Sequence, residues 1–335
     1  MKVLYVGGTG EISYACVLES LKLGHEVTVF NRAHTGHTLP EGVGRLQGDL
    51  DDDSCYDALS GRHFDSVCQF FAFDEPRIER DLRTFGGRTG QYVFISSASA
   101  YAKPLDRFAV ITERTPLANP YWEYSQKKAG MEAALLEWHR QGRLPVTIVR
   151  PSHTYRCNFP VALGDGDWTA ERMLAKRPVI VHGDGASLWT LTHASDFARP
   201  FARLLGEPRA LGEAFHITGE GVHTWDEILA TMARALGTKA RLVHVASDTL
   251  VRYEPSWKGP LHGDKAPSTL FDNSKVRSVV GAFDTEVPLE GGLAGVAEHF
   301  RARRASQGPA QDPQLDALVE RILRETDPST ARDPG

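Results

Sequence analysis

Short apolar runs of strand length alternate with amphipathic stretches along the first half of the chain. Lys2 to Val6, Glu26 to Asn31 (EVTVFN), Asp65 to Phe71, Gln91 to Ser96 (QYVFIS) and Val146 to Arg150 (VTIVR) are rich in β-branched and aromatic residues, and Arg45 to Gly48 is a shorter run ending at Asp49. Between them, Glu11 to Leu23 places Ile12, Cys16, Leu18 and Leu21 at helical spacing, and Ser125 to Gln141 reads as a second helix. Strands that are apolar on both faces, alternating with helices, predict a parallel sheet covered on both sides: an α/β, doubly wound (Rossmann) architecture. After Pro151 the pattern loosens. Glycine turns at Gly164 to Asp167 and Gly183 to Gly185 separate shorter elements, and Thr224 is placed to cap a helix over Asp226 to Leu236. This predicts a smaller C-terminal α/β lobe over 156–305 beside a first lobe over 1–155, with the chain crossing between them. From Ser306 the sequence is polar and proline-containing, a C-terminal tail in which Leu315 to Ile322 can form one amphipathic turn or helix.

The stretch VLYVGGTGEIS sets Gly7 and Gly10 three apart between the first strand and the first helix. Glycines there allow a tight turn and let backbone N–H groups approach a pyrophosphate at the helix N-terminus. Ser13 stands where a third glycine is expected and is small enough for helix and strand to pack closely. The first lobe is thereby a candidate dinucleotide-binding domain and the second a candidate substrate lobe. Tyr124 and Lys128 share one helix face at i and i+4. A phenol beside an ammonium is the pairing expected of a proton-transfer group, because the positive charge favours the phenolate.

Taken in order, these motifs resemble the extended and atypical short-chain dehydrogenases/reductases, the NAD(P)-dependent epimerase/dehydratase family. GGTGEIS is similar to that family's glycine turn, GDL at 48–50 to its adenine-side Asp, FISSASAY at 94–101 to the strand bearing a catalytic hydroxyl, and YSQKK at 124–128 to its Tyr–Lys motif. RPSHTY at 150–155 is similar to the segment beside nicotinamide and substrate, and LTHASDFA and FDNSKV to later signatures. The resemblance implies Tyr124 as acid/base, Lys128 on the nicotinamide ribose and Ser97 on the reacting oxygen. It implies a cofactor held by Gly7, Thr9, Gly10, Glu11, Ile12, Asn31, Arg32, Asp49, Leu50, Phe71, Ala72, Ser96, Tyr124, Lys128, Pro151 and His153. Substrate falls to Ser97, Ser99, His153, Trp189 and Thr190. The cofactor is NAD or NADP. Asn31 and Arg32 replace the acidic residue common in NAD-preferring members, and a guanidinium suits a 2′-phosphate, which favours NADP.

Departures from the family pattern narrow the reaction. Ala98 and Ser99 stand where dehydratases carry an Asp–Glu pair, so elimination loses its acid and base. What remains is oxidation, ketone reduction or epimerisation through a transient ketone, on a sugar, nucleoside or nucleotide-linked sugar. Trp189 and Leu261 occupy the places of two diphosphate-binding arginines; neither pairs a phosphate, leaving Arg156, Arg252, Lys258 or Lys265 as substitutes, or a less charged substrate. The alternatives are a ketoreductase that releases its cofactor and an RNA-binding protein related to chloroplast stem-loop-binding proteins, which Phe30-Asn31-Arg32 and Ala72 to Pro76 resemble.

Bulk properties fit an enzyme of ordinary globular composition. The 335 residues are 41% hydrophobic and 24% charged, with a net charge of -5 that argues against nucleic acid as a partner. No apolar run is long enough to span a bilayer and the N-terminus lacks a signal-peptide pattern, so a cytoplasmic location and no membrane partner are expected. Cys16, Cys55, Cys68 and Cys157 form no metal or redox spacing, and no metal is expected. The family resemblance implies a homodimer through the helix after Tyr124 and its neighbour, in a four-helix arrangement, with Met131, Leu135, Leu136 and Trp138 apolar on the first of these helices.

Overall fold

The structure, a computed structural model, describes residues 1–32, 39–105 and 110–326. Its first lobe begins with β1 (Lys2–Val6), α1 (Ser13–Lys22), β2 (Glu26–Asn31), β3 (Gly44–Gln47) and β4 (Phe64–Gln69). It continues through α2 (Glu75–Phe85), β5 (Thr89–Ile95), α3 (Glu123–Arg140) and β6 (Val146–Pro151). The chain then passes to the second lobe with β7 (His153–Tyr155), α4 (Gly166–Leu174), β8 (Val179–His182) and β9 (Leu188–His193). It returns with α5 (Ala194–Leu204) and β10 (Ala214–Ile217), then leaves again with β11 (Val222–Thr224), α6 (Trp225–Ala235), β12 (Leu242–Val245) and α7 (Ser247–Tyr253). A single turn α8 (Lys258–Pro260) runs into a π-helical turn over Leu261–Lys265, followed by α9 (Ser274–Val280), α10 (Leu289–Gln307) and α11 (Pro313–Thr326).

Seven strands form one parallel sheet in the order β10-β6-β5-β4-β1-β2-β3. Both faces are covered, as their near-continuous apolar strands require. On one side Val3, Tyr5, Val29 and Val93 pack with Val17, Phe197 and Phe201 from α1 and α5. On the other, Leu4, Val6, Tyr92 and Ile148 pack with Ile78, Met131 and Leu135 from α2 and α3. Leu136 and Trp138 also rest on this second cluster, so Met131, Leu135, Leu136 and Trp138 of α3 all contribute to covering the sheet. The strand order reverses between β1 and β4, which opens a crevice at their C-terminal ends, the place where doubly wound sheets take ligands.

The second lobe is built on β11-β9-β7 and β12-β8. Leu289, Leu293, Val296, Ala297 and Phe300 form one helical stripe of α10 that packs with Trp225, Ile228 and Met232 of α6. Thr224 caps α6 in a reciprocal capping box with Glu227. Beyond Ser306 the chain is helical over Pro313–Thr326: Val319, Ile322 and Leu323 pack with Trp168 and Ile180, while Asp316 and Glu320 take the buried Arg172 at 2.7 and 2.8 Å. Residues 327–335 of the expected tail lie outside the described residues. Among the described residues no helix is long and apolar enough to cross a membrane.

Helix α1 starts at Ser13 rather than at Glu11, because the glycine turn runs on through Ile12. Helix α2 was not legible as a helix. Asp74 caps it through the Arg77 amide at 3.2 Å, yet its buried face carries Arg80 and Asp81 beside Ile78 and Phe85. Two charges at core positions erase the apolar spacing that announces a helix. They are tolerated because Asp81 accepts from Gln69 and Tyr92 at 2.6 Å each, while the Arg80 guanidinium lies 3.7 Å from the Tyr56 ring centre.

Candidate active site

The glycine turn leaves β1 with Gly7 at φ 110° and Gly8 at φ 91°, backbone that side chains rarely adopt. A Cβ on Gly8 would lie 2.8 Å from both Val29 methyls, so the turn sits directly on β2. Gly10 differs: a Cβ there would meet only Ser13 Oγ, at 3.4 Å. Nothing in the protein itself forbids a side chain at Gly10, and the cradle it leaves opens onto a cavity of about 500 Å³. Ser13, at the third-glycine position, is buried and its Oγ accepts the Gly10 N–H at 3.0 Å. No side chain caps α1, and the start of the helix, from Gly10 to Ser13, lines the cavity.

Glu11 lines the same cavity but faces the second lobe. Its carboxylate accepts the backbone N–H groups of Arg156 and Cys157 at 2.7 and 2.9 Å and the Asn158 amide at 2.8 Å. It therefore clamps the turn to the chain after β7. Arg156 is occupied there too, donating to the Glu11 carbonyl and lying over Tyr14.

Ser97, Tyr124 and Lys128 converge on one cavity wall. Ser97 follows β5 by two residues and caps the short turn after it, its Oγ 2.8 Å from Ser99 Oγ, which in turn accepts from Ser125 Oγ at 2.8 Å. Burial raises the Tyr124 pKa, and a hydrogen bond with Ser97 opposes that rise. The Lys128 ammonium lies 5.8 Å from the Tyr124 ring centre and donates to the carbonyls of Ala72 and Ile95 at 2.8 Å each. Burial pushes its own pKa down to about 7. The lowered phenol expected from the sequence is thus not found: desolvation raises Tyr124, and the Asp264 carboxylate adds to that rise.

Other expected residues divide between lining and support. Gly10, Ile12, Ser96, Ser99, Pro151, His153 and Trp189 line the cavity together with the groups above. Ser96 Oγ is buried with no partner. His153 Nδ1 is likewise buried and unpartnered, and burial lowers the imidazole to about 3, so it is neutral. Trp189 is 2% exposed, with its ring 5.5 Å from Trp225. Gly7, Thr9, Asn31, Arg32, Asp49, Leu50, Phe71, Ala72 and Thr190 are outside the lining. Asn31 donates to Thr9 Oγ1 at 3.4 Å, Arg32 is exposed at the end of β2, and Asp49 is exposed after β3. The Leu50 carbonyl takes Arg80, the Phe71 amide donates to Gln69, and Thr190 Oγ1 turns onto the Thr269 carbonyl at 3.2 Å.

Sequence reading did not include Trp122, Asp264, Thr269 and Phe271 among the site residues, all of which line the cavity. Lys265, one of four candidate arginine substitutes, lines it as well, while Arg252 and Lys258 are exposed elsewhere. Among the described residues no group of His, Cys, Asp and Glu is arranged to hold a metal ion.

The sequence profile of the NAD dependent epimerase/dehydratase family matches residues 3–218. The chain belongs to that family. Within it, the chain is similar to a 2'-dehydrokanamycin reductase of Streptomyces kanamyceticus, 29% identical over 252 residues that cover 74% of this chain and 70% of that protein. It is also similar to a dTDP-glucose 4,6-dehydratase of Streptomyces niveus, 26% identical over 351 residues covering 93% and 96% of the two chains. The fold matches the UDP-glucose 4-epimerase of Thermus thermophilus, solved with NAD, at a TM-score of 0.70 and 22% identity over 90% of this chain and 99% of that one. The protein is a nicotinamide-dependent enzyme of the short-chain dehydrogenase type.

The residues present suit the family's dinucleotide. Gly10 leaves room against the uncapped start of α1, Ser96 Oγ awaits a partner, and Lys128 uses two of its three donors on backbone carbonyls. A phenol, a hydroxyl and a lysine on one wall can move a proton to or from an alcohol oxygen and hold a diol beside it.

Proposed function

We propose that this family member oxidises a secondary alcohol of a sugar or nucleotide-linked sugar, or reduces the corresponding ketone, through a ketone and without elimination. The observation that carries this reading is the convergence of Tyr124, Ser97 and Lys128 on one wall of the cavity whose other side is the glycine turn. The bound nicotinamide supplies or takes up the hydride. Tyr124 Oη takes the proton from the alcohol, or returns it to the ketone oxygen, and Ser97 Oγ holds that oxygen in line. Lys128, anchored by two carbonyls, would hold the ribose diol, and in its protonated form would add positive charge beside the phenol. Net epimerisation follows when the ketone turns over before the hydride returns; net reduction follows when the cofactor exchanges.

Elimination needs further acid and base groups next to the reacting carbons. At that place the chain has Ala98, which is buried, and Ser99, whose hydroxyl is shared with Ser97 and Ser125. The likeness to a dehydratase is matched by the likeness to a reductase named for 2'-dehydrokanamycin. The exposed Arg32 supports NADP as the preferred cofactor. A homodimer through α2 and α3 is part of the same reading. An RNA-binding role has no use for the Tyr124–Lys128 pair.

The test is Tyr124→Phe, assayed with a sugar or ketosugar that gives turnover in a cofactor-coupled screen. The variant is expected to keep its cofactor affinity and lose about 10²–10⁴-fold in rate. Deuterium at the oxidised carbon is expected to pass to the nicotinamide. Near-native turnover of the variant removes Tyr124 from the reaction, and solvent deuterium at a neighbouring carbon replaces this reading with enolisation or elimination.

A further inference from the structure

We propose that Trp122 and the Asp264–Lys265 pair form the seat for the substrate's sugar ring, and that this seat takes an uncharged pyranose face with neighbouring hydroxyls rather than a phosphate. The proposal rests on the sugar reading above and adds what in the chain recognises the ring.

Trp122 precedes α3 by one residue and Tyr124 by two. Its ring centre lies 5.1 Å from that of Tyr124, and both line the cavity. The indole is fixed by a notch in the second lobe. A Cβ on Gly259 would come within 2.4 Å of Trp122 Cδ1, and one on Gly263 within 3.0 Å of Trp122 Cβ. These two glycines are one turn apart on the 258–265 helical segment, and only their missing side chains let it close over the tryptophan.

The same segment is pinned from both lobes. Asn119 Nδ2 donates to the Gly263 carbonyl at 2.6 Å and to the Ser99 carbonyl at 2.7 Å, tying the turn to the serines of the reacting wall. Trp225 Nε1 donates to the Lys265 carbonyl at 3.1 Å, and His182 Nε2 is 2.9 Å from it. Asp264 and Lys265 are therefore presented to the cavity on a fixed backbone.

Their chemistry selects the ligand. Lys265 Nζ is 3.0 Å from Asp264 Oδ2, and the two side chains keep 13% and 16% exposure. The carboxylate accepts from one hydroxyl while the ammonium donates to the next, which matches a vicinal diol. The apolar C–H face of the pyranose then lies on the indole. A phosphate asks for uncompensated cations, preferably a guanidinium fork. Here Lys265 is paired with Asp264, Arg156 lies outside the cavity lining with its Nε on the Glu11 carbonyl, and Trp189 is packed on Trp225.

The experiment titrates the cofactor-loaded, full-length protein with methyl glucoside, methyl galactoside, methyl mannoside and, separately, UDP, followed by saturation-transfer NMR. At least one glycoside is expected to bind, with saturation strongest on its ring protons. Trp122→Ala is expected to weaken it about tenfold, Trp122→Phe to restore most of that loss, and Lys265→Met to weaken it as well, with cofactor affinity unchanged in all three. The proposal is overturned if no glycoside binds, if Trp122→Ala binds as the wild type does, or if UDP competes with the glycoside and loses its affinity in Lys265→Met. Binding needs no hydride transfer, so failure of the seat and failure of the Tyr124 mechanism give separate results.

Discussion

Lys128 is the group whose ionisation reports most directly on the interior of the cavity. It is 2% exposed, and burial lowers its pKa from 10.5 to about 7, against a smaller opposing pull from Glu132. In the unfolded chain the same amine titrates at about 10.4. Between these two values the unfolded chain holds a proton that the folded protein has released, so raising the pH favours folding. The penalty for burying the charge is complete below about pH 7 and is relieved as the pH climbs towards the unfolded value. At about 1.4 kcal/mol per pH unit, the relief amounts to roughly 2–3 kcal/mol between about pH 7.5 and pH 9.5. Cys16 and Cys68 work the other way, since burial raises their thiols while unfolded thiols ionise in this range. The informative quantity is therefore the difference between wild type and Lys128→Met, which has a similar length and no proton. Urea unfolding of the cofactor-free proteins at several pH values measures it. The wild type is expected to gain on the variant by the amount above as the pH rises; parallel stability curves would refute a neutralised, desolvated lysine at this position.

Four further variants test other parts of the molecule. Glu132→Ala leaves the Arg150 guanidinium buried without its carboxylate partner, now at 2.5–3.1 Å, and is expected to cost about 3–5 kcal/mol in urea unfolding. Gly10→Val is expected to fold normally and lose nicotinamide binding in a fluorescence titration. Gly8→Val, which would press on Val29, is expected to lose about 1–3 kcal/mol of stability or more; a Gly10→Val variant with native cofactor affinity would displace the pyrophosphate from the turn. Arg32→Ala is expected to weaken NADP by about 1.5–3 kcal/mol while sparing NAD, and equal losses in isothermal titration would assign Arg32 to stacking alone.

The first lobe was legible because its information is local. Strands such as QYVFIS are apolar along their length, the glycine turn needs neighbouring residues only, and Tyr124 and Lys128 meet through the pitch of a single helix. Thr224 announced α6 for the same reason, through a cap three residues from its partner Glu227. Tertiary structure decided everything that depends on distant segments. Helix α2 hides Arg80 and Asp81 in the core, and Leu50, Asp53, Tyr56, Gln69 and Tyr92, brought from other elements, make that burial tolerable. Glu11 sits in a cofactor motif, yet its carboxylate is spent on backbone amides 145 and 146 residues away. The seat beside Tyr124 joins Trp122 to Asp264 and Lys265 through glycines 259 and 263, whose small size carries no meaning until the indole is found against them. Helical pitch and strand alternation are written into neighbouring residues, but a cavity wall is a coincidence of surfaces, and its members acquire their chemistry only once the chain has closed upon itself.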